Sequence, residues 1–424
     1  MRAQPSHNKS SWSSATQSVE QMTSARFRES QFLIWCARTT LSDATRRHIR
    51  EAAQDGMNWP LLLNLARYHG VGPLLYRSIS TVCADLVPRK PLDYLRQVTQ
   101  AGNVLNRALA RELVQLCRAF DKRGVPAIPF KGAALAAMAY RDITLRDFDD
   151  LDFIVPQHRL ADAQEVLLSE GYHQRDRSQD EPDSVHADEP YHVFVKKNSV
   201  LQVDLQWVMA HEQFAFRLDR PEIWGHRAHV SIDGQMVRGL APEELLIVLC
   251  VHGSKHAWEQ LKWIADVAEL LRSHSLSWKR VFSRASEWKC RRMLLLGLAL
   301  ANRLMEFPLP PDILNAIAVD PDVTVLARCM PKSVLADQQH GIDEQDAVAL
   351  YFSLKDDWRE CWCYGLILLH HDHPMLRRLP SWFRWHRQLT LLARVVRPLR
   401  AFAIRYLPVK SLRRAFNCFR KPAQ

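Results

Sequence analysis

Two aspartates, Asp150 and Asp152, lie two positions apart at the start of an apolar segment that ends at Val155. Successive side chains of a β-strand point to opposite faces, so residues two apart project from the same face. At an effective dielectric constant of about 20, two carboxylates about 4 Å apart repel each other by about 4 kcal/mol. A protein tolerates such a pair when a proton or a cation lies between the two groups. The segment therefore predicts a strand that carries a site for a divalent metal.

A solvated turn is the alternative for this acidic pair. The apolar run of Phe153, Ile154 and Val155 continues as a buried strand would, and Leu151 would point inward between the two acids. This alternation favours the strand over the turn.

Length and composition predict a folded protein with more than one part. A chain of 424 residues can hold two or three domains, and a hydrophobic share of 47% is ample for packed cores. The apolar runs are shorter than the roughly 20 residues needed to span a bilayer, and the polar N-terminus lacks an apolar signal core. We therefore expect a cytoplasmic protein.

The net charge of +11 originates at the C-terminus. Residues 373–424 contain 13 Lys and Arg and no Asp or Glu, whereas residues 1–372 contain 44 basic and 46 acidic residues. Apolar and basic residues alternate in this tail as they do in basic amphipathic helices. Three interpretations stay open: helices packed on the body, contact with anionic lipid at a membrane surface or with a polyphosphate-bearing partner, and contact with nucleic acid. Nucleic acid is the least favoured, because the body of the chain is nearly neutral.

Changes in hydrophobic periodicity divide the chain into five parts. We predict a disordered N-terminus over residues 1–28, an N-terminal helical region over 29–123, a core of mixed strands and helices over 124–241, a C-terminal helical region over 242–372, and a basic amphipathic tail over 373–424. The expected fold class is α+β, with an α/β core between two helical regions.

The order of elements in the core brings further polar residues near the acidic pair. We expect a strand before Lys131-Gly132, a helix, a loop that carries Arg146, the strand with the two acids, a second helix, and a hairpin whose second strand carries Asp204. The alternatives are an ordinary loop arginine for Arg146 and a surface position for Asp204.

A second polar group follows Pro242, where one helix is expected to run to about Arg272. Its members recur at intervals of three and four and form one stripe: His252, His256, Glu259, Trp263 and Asp266, with Lys255 and Lys262 at its edge. The stripe indicates the wall of a cleft, and a hydrogen-bonded structural stripe is the alternative. Zinc binding is disfavoured, because Gly253 stands where a zinc peptidase would have its catalytic glutamate.

Together these segments resemble the DNA polymerase β-like nucleotidyltransferase superfamily. The resemblance is closer to a bacterial branch described as uncharacterised nucleotidyltransferases, and it covers about residues 125–271. The residues that carry it are Lys131-Gly132-Ala133-Ala134-Leu135, Arg146, Asp150-Leu151-Asp152-Phe153-Ile154-Val155, Asp204-Leu205-Gln206-Trp207, and the segment from His252 to Leu271. The resemblance implies a polymerase β-like sheet flanked by helical regions, and an enzyme that transfers a nucleotide.

The resemblance also implies a role for each residue. Asp150, Asp152 and Asp204 would bind metal, expected to be two Mg²⁺ ions, and Asp204 would accept a proton from the acceptor hydroxyl. An NTP, with ATP favoured, would be bound by the remaining predicted site residues: Lys131, Gly132, Arg146, His252, Lys255, His256 and Asp266.

A small molecule or a peptide is the expected acceptor of the nucleotide. The alternative function is a non-catalytic nucleotide-binding or antitoxin-like regulatory module. One difference from the related branch bears on the choice between an enzyme and a non-catalytic module. That branch typically has a histidine at the position that Gln206 occupies in this chain. The change removes a proton shuttle or phosphate contact, but all three carboxylates are present, so we favour an enzyme.

Overall fold

The computed structural model describes residues 27–175, 191–209, 216–335, 344–357 and 361. Residues 1–26 of the predicted disordered N-terminus and the whole basic tail lie outside these ranges, whereas residues 27 and 28 begin the first helix. The described chain consists of a helical leader, a mixed sheet and a second helical part.

The helical leader contains five helices and coincides closely with the helical region predicted over residues 29–123. Ser42 accepts a hydrogen bond from the backbone N of Thr45 at 3.1 Å and so caps the second of them. Phe120 of the long fifth helix packs against Phe153 of the sheet, with ring centroids 5.2 Å apart. The helices are α1 (27–36), α2 (Asp43–Gln54), α3 (Trp59–Tyr68), α4 (Gly72–Val82) and α5 (Arg89–Lys122).

A five-stranded sheet forms the core of the molecule, in the order β1-β2-β5-β4-β3. β2 and β5 are adjacent and parallel, and the other neighbouring pairs are antiparallel. Leu151, Phe153 and Ile154 of β2 are fully buried, as the apolar pattern predicts. The strands are β1 (Ile128–Pro129), β2 (Asp150–Ile154), β3 (Tyr172–Gln174), β4 (Tyr191–Lys196) and β5 (Gln202–Gln206).

Short helices and two hairpins surround this sheet. α6 (Gly132–Leu135) continues as a π-helix from Ala136 to Tyr140, and α7 (Leu160–Ser169) precedes β3. Residues 227–240 form a hairpin of two strands, because Asp233 and Gly234 adopt positive φ angles and form a tight turn. The remaining elements are β6 (Val208–Met209), β7 (Phe216–Arg217), α8 (Pro221–Gly225), β8 (Arg227–Ile232) and β9 (Gln235–Leu240).

The second helical part begins at Pro242, directly after β9. α9, α10 and α12 pack on one another through buried aliphatic side chains. Among the described residues, every helix is too short or too polar to cross a membrane. The division of the chain into separate domains stays a prediction. The helices are α9 (Pro242–Lys255), α10 (Leu261–Ser273), α11 (Trp278–Glu287), α12 (Arg291–Met305), α13 (Pro311–Val319), α14 (Pro321–Leu335) and α15 (Glu344–Ser353).

The prediction of one helix from Pro242 to about Arg272 is wrong. α9 ends at Lys255, and the left-handed residues Ala257 and Trp258 reverse the chain before α10. The indole of Trp258 is fully buried against Gly253, where an added Cβ would lie 2.4 Å from the ring. Burial of this large side chain therefore requires both the break in the helix and a glycine at position 253.

Candidate active site

Asp150 and Asp152 on β2 meet Asp204 on the adjacent parallel strand β5. Asp152 and Asp204 are direct partners in the strand register. Each of the three acids places a carboxylate oxygen within 4.8 Å of the others. Asp152 is 2% exposed and Asp204 8% exposed, while Asp150 is half-buried. The structure thus brings together the three acids that the sequence analysis selected, and we refer to them as the acidic triad.

The three carboxylates of the acidic triad repel one another when all of them are ionised. Repulsion from Asp152, with a further contribution from burial, raises the pKa of Asp150 to about 7. Burial raises the pKa of Asp204 to about 7, and repulsion from the other two acids adds to this effect. A cation that neutralises these carboxylates would relieve the repulsion.

Lys131 contributes one positive charge to the acidic triad. Its Nζ donates a hydrogen bond to Oδ1 of Asp152 at 3.0 Å. Burial opposes the charged ammonium, but attraction to the three carboxylates outweighs this cost and raises the pKa of Lys131. With all groups ionised, the three carboxylates and Lys131 leave two negative charges, which equal the charge of one divalent cation.

Gly132 follows Lys131 at the turn from β1 into α6. Its φ angle is +53°, and an added Cβ would lie 3.1 Å from the backbone oxygen of Asp150. Both the backbone conformation and the close approach require glycine. Gly132 therefore has a structural function in holding β2 against this turn, in addition to its predicted contact with phosphate.

Two glutamines of β5 orient the buried acids. Gln206 donates from Nε2 to Oδ1 of Asp152 at 2.6 Å, and Gln202 donates from Nε2 to Oδ1 of Asp204 at 3.0 Å. Gln206 thus supplies a neutral donor where the related branch has a histidine. Sequence reasoning missed Gln202, although its position two residues before Asp204 indicated that both project from the same face.

Arg146 and Asp266, both predicted to bind the nucleotide, bind each other. Nε and Nη2 of Arg146 donate to the two oxygens of Asp266 at 2.8 and 3.0 Å, and Tyr140 donates to Oδ1 at 2.8 Å. Asp266 is 1% exposed and Arg146 8%. This pair joins α10 to the loop before β2. Asp266 would repel a phosphate, so its geometry favours holding Arg146 over contacting the nucleotide directly.

Tyr140 was missed by the sequence analysis. Its hydroxyl is buried against Asp266, which lies far away along the chain, and a buried tyrosine at the end of a helix has no sequence signal that identifies such a partner. Burial and the acidic partner raise the pKa of this tyrosine well above its ordinary value, so it remains a hydrogen-bond donor.

His252, His256 and Trp263 come together despite the break between α9 and α10. The ring centroids of His252 and His256 are 4.7 Å apart, and the ring of His256 stacks on Trp263 at 4.8 Å with an interplanar angle of 25°. Burial and the positive charge of Lys131 lower the pKa of His252 well below its ordinary value. We call these three side chains the ring cluster. Of the other predicted residues here, Lys255 lies in the last turn of α9 and is half-buried.

A second group of potential metal ligands lies outside the acidic triad. His226, Glu243 and Glu244 place ligand atoms within 4.8 Å of one another. Arg280 contacts the imidazole of His226 at 2.5 Å, and Arg284 lies 3.9 Å from Glu244. Two arginines therefore balance the two glutamates, whereas the acidic triad keeps an excess of negative charge. The acidic triad is the better cation site.

Replacing Asp150 with Asn should stabilise the metal-free protein above pH 7. The pKa of Asp150 is raised to about 7 in the folded protein, whereas it is near 4 in the unfolded chain. The contribution of Asp150 to the free energy of unfolding is therefore largest below pH 4. It decreases as the pH rises from about 4 to about 7, because the unfolded chain releases this proton first. The asparagine side chain carries no charge and avoids this loss. We expect the melting temperature at pH 8 in EDTA to rise by several degrees, since about 1 kcal/mol shifts Tm by roughly 2–4 °C.

The control for this measurement is Asp55→Asn, which removes a charge from an exposed position at the end of α2. It should leave Tm and its pH dependence unchanged. A Tm for Asp150→Asn that equals or falls below the wild-type value at pH 8 would contradict the repulsion.

Comparison with known protein families identifies the class of enzyme. The chain belongs to the family of uncharacterised nucleotidyltransferases, whose pattern matches residues 55–306, more than half of its length. This match confirms the enzyme class and the closer resemblance noted in the sequence, that to a branch of uncharacterised nucleotidyltransferases. The mixed five-stranded sheet between two helical regions confirms the α+β fold class. The general reaction of the protein is therefore nucleotidyl transfer.

Several solved structures are similar to part of this chain. ANT(2")-Ia in complex with adenylyl-2"-tobramycin is 15% identical, covering 43% of this chain and 97% of its own, with a TM-score of 0.32. The solution structure of ANT(2'')-Ia is 16% identical, covering 42% and 91%, with a TM-score of 0.31. An antigenic nucleotidyltransferase-like protein from Paracoccidioides brasiliensis is 16% identical, covering 52% and 92%, also at 0.31. These low TM-scores say nothing about the substrate. Among curated proteins, none matches this chain significantly.

Proposed function

We propose that this enzyme transfers a nucleoside monophosphate, with ATP as the favoured donor, to a hydroxyl group of a small molecule or peptide in a Mg²⁺-dependent reaction. The observation that carries this proposal is the acidic triad, in which three carboxylates from adjacent parallel strands lie within 4.8 Å of one another. Hard divalent cations such as Mg²⁺ prefer such oxygen ligands.

The carboxylate oxygens available for metal can be identified from the hydrogen bonds. Oδ1 of Asp152 accepts from Lys131 and Gln206, and Oδ1 of Asp204 accepts from Gln202. Oδ2 of Asp152, Oδ2 of Asp204 and the carboxylate of Asp150 would therefore hold the metal. When bound, Mg²⁺ neutralises charge on the attacking and leaving oxygens of phosphoryl transfer.

The proposed reaction is an in-line displacement at the α-phosphorus of the NTP. The acceptor oxygen forms a bond to this phosphorus, the bond to the oxygen that bridges to the β-phosphate breaks, and pyrophosphate leaves with the electron pair. Asp204 is the proposed proton acceptor for the hydroxyl, because its buried carboxylate lies beside the two acids of β2.

Lys131 and Arg146 are the proposed contacts of the triphosphate. The ammonium of Lys131 donates one of its three N–H groups to Oδ1 of Asp152, and another of them can bind a phosphate oxygen. Two nitrogens of Arg146 are held by Asp266. The remaining nitrogen, Nη1, lies 3.5 Å from the backbone oxygen of Asp147 and is the part of the guanidinium that can bind phosphate.

The charge distribution of the chain favours a small molecule or a peptide over nucleic acid as the acceptor. The body of the chain is nearly neutral, and the excess of basic residues belongs to the tail. Contact of the tail with anionic lipid or with a polyphosphate-bearing partner, and a cytoplasmic location, stay predictions, because residues 373–424 lie outside the described structure.

Incubation of the purified protein with ATP, Mg²⁺ and a metabolite extract tests the proposal. We expect pyrophosphate release and an acceptor whose mass rises by one nucleotide unit. Asp204→Asn should abolish both signals, whereas the exposed Asp55→Asn should keep them. If the protein binds ATP but releases no pyrophosphate with any extract or NTP, the non-catalytic regulatory module describes the protein better.

A further inference from the structure

The ring cluster forms an aromatic surface on the same side of the molecule as the proposed triphosphate contacts. Trp263 lies one helical turn before Asp266 on the same face of α10, and Asp266 holds Arg146. His252 lies close enough to Lys131 and Arg146 for their charges to affect its pKa. Trp263 is therefore adjacent to Arg146 through Asp266, and the charge of Lys131 acts on His252.

Each residue of the ring cluster is half-buried, so part of its surface is accessible to solvent. Three contacts fix the position of the indole: His252 packs edge-on against Trp263 at 5.8 Å, His256 stacks on it, and Nζ of Lys262 lies 6.0 Å from its ring centroid. A half-exposed tryptophan that is fixed in one orientation loses little conformational entropy when a ligand packs on it. This arrangement suits a flat aromatic ligand.

Phosphate is a poorer match for these rings. His252 is neutral at physiological pH, because burial and the nearby cations lower its pKa, and an indole offers no charge. The positive charge needed for the triphosphate is supplied next to the cluster by Lys131, Arg146 and Lys262, whose Nζ lies 6.0 Å from the Trp263 ring centroid. Aromatic rings beside a cationic site provide the two kinds of surface that the two ends of a nucleoside triphosphate need.

We propose that Trp263, supported by His256 and His252, is the platform on which the nucleobase of the donor NTP stacks. The proposal rests on the proposed function, since it assumes that an NTP binds beside the acidic triad. Stacking accepts any base, so the ring cluster provides affinity for a base without selecting adenine over the other bases.

The role of Trp263 can be tested by comparing two ligands that differ only in the base. Binding of α,β-methylene-ATP, which cannot release pyrophosphate, and of ribose 5'-triphosphate with the same methylene bridge is measured by calorimetry in the presence of Mg²⁺. For the wild-type protein the nucleotide should bind about 10- to 100-fold more tightly, because stacking on an aromatic side chain contributes on this scale. Trp263→Ala should reduce the ratio of the two dissociation constants to about 1, and Trp263→Phe should keep most of it.

Two further variants separate this effect from unfolding and from loss of the phosphate contacts. Trp278→Ala removes a half-buried tryptophan that packs on Phe282 of α11 and should keep the wild-type ratio. Lys131→Met should weaken both ligands by a similar factor and leave their ratio unchanged. Thermal melting of Trp263→Ala and Trp263→Phe shows whether each variant is folded.

The outcomes distinguish the two proposals. Equal affinity of the wild-type protein for both ligands, or a wild-type ratio in Trp263→Ala, would overturn the nucleobase platform and leave the proposed function intact. Failure of the wild-type protein to bind either ligand would overturn the proposed function itself.

Discussion

Asp152→Asn should reduce nucleotidyl transfer by about 10³-fold or more and leave the fold intact. Asp152 is the most buried member of the acidic triad and pairs in register with Asp204. Asparagine keeps an oxygen that can accept from Lys131 and Gln206 but removes the charge that would bind metal. A loss of about 4 kcal/mol of transition-state stabilisation corresponds to this decrease in rate.

The measurement is pyrophosphate release at saturating ATP and Mg²⁺, together with Mn²⁺ binding as a readout that does not depend on turnover. Both should fall in Asp152→Asn, whereas Asp55→Asn should match the wild-type protein. Far-ultraviolet circular dichroism and the melting temperature should show a folded variant. Retained Mn²⁺ affinity with lost activity would show that Asp152 acts in some other way than as a metal ligand.

Asp266→Leu should lower the free energy of unfolding by about 3–5 kcal/mol. The substitution leaves the guanidinium of Arg146 buried without its bidentate partner, and the hydroxyl of Tyr140 loses its acceptor. Removal of one partner from a buried ion pair has a cost of this order, because the other charge remains desolvated. Denaturant unfolding measures the change.

The double variant Arg146→Leu/Asp266→Leu is the matched control for this stability prediction. It removes both charges and should therefore be more stable than Asp266→Leu alone. The exposed pair Arg89–Asp93 provides a second comparison, since Arg89 is 95% exposed and Asp93 42%. Asp93→Ala should cost less than about 1 kcal/mol. If Asp266→Leu costs no more than Asp93→Ala, the buried pair does not hold α10 to the core.

Features that depend on residues close together in the sequence were predictable. The alternation around Leu151 correctly placed Asp150 and Asp152 on one face of a strand, and the helices of the leader follow from their apolar periodicity. The order of elements between Lys131 and Asp204 was also confirmed, except that the short strand β3 before the hairpin was not expected. In each case the information lies within a window of a few residues.

Features that depend on packing between distant segments were not predictable in this way. The break between α9 and α10 arises from the burial of Trp258 beneath Gly253, and the periodicity on either side of it continues as if the helix were unbroken. Likewise, the resemblance implied that Arg146 and Asp266 bind the nucleotide, but the sequence could not show that each is the other's partner.

The parallel pairing of β2 with β5 has a consequence for how the acidic triad forms. Parallel neighbours cannot be joined by a tight turn, and here α7, β3 and β4 lie between them along the chain. Closing a loop of this length has a higher entropic cost than closing a local hairpin. We therefore expect β2 and β5 to pair late in folding. A nascent chain that has not yet added β5 holds two acids without the third. A metal ion held by all three acids, as proposed above, would therefore stabilise the finished sheet and not an intermediate that lacks β5.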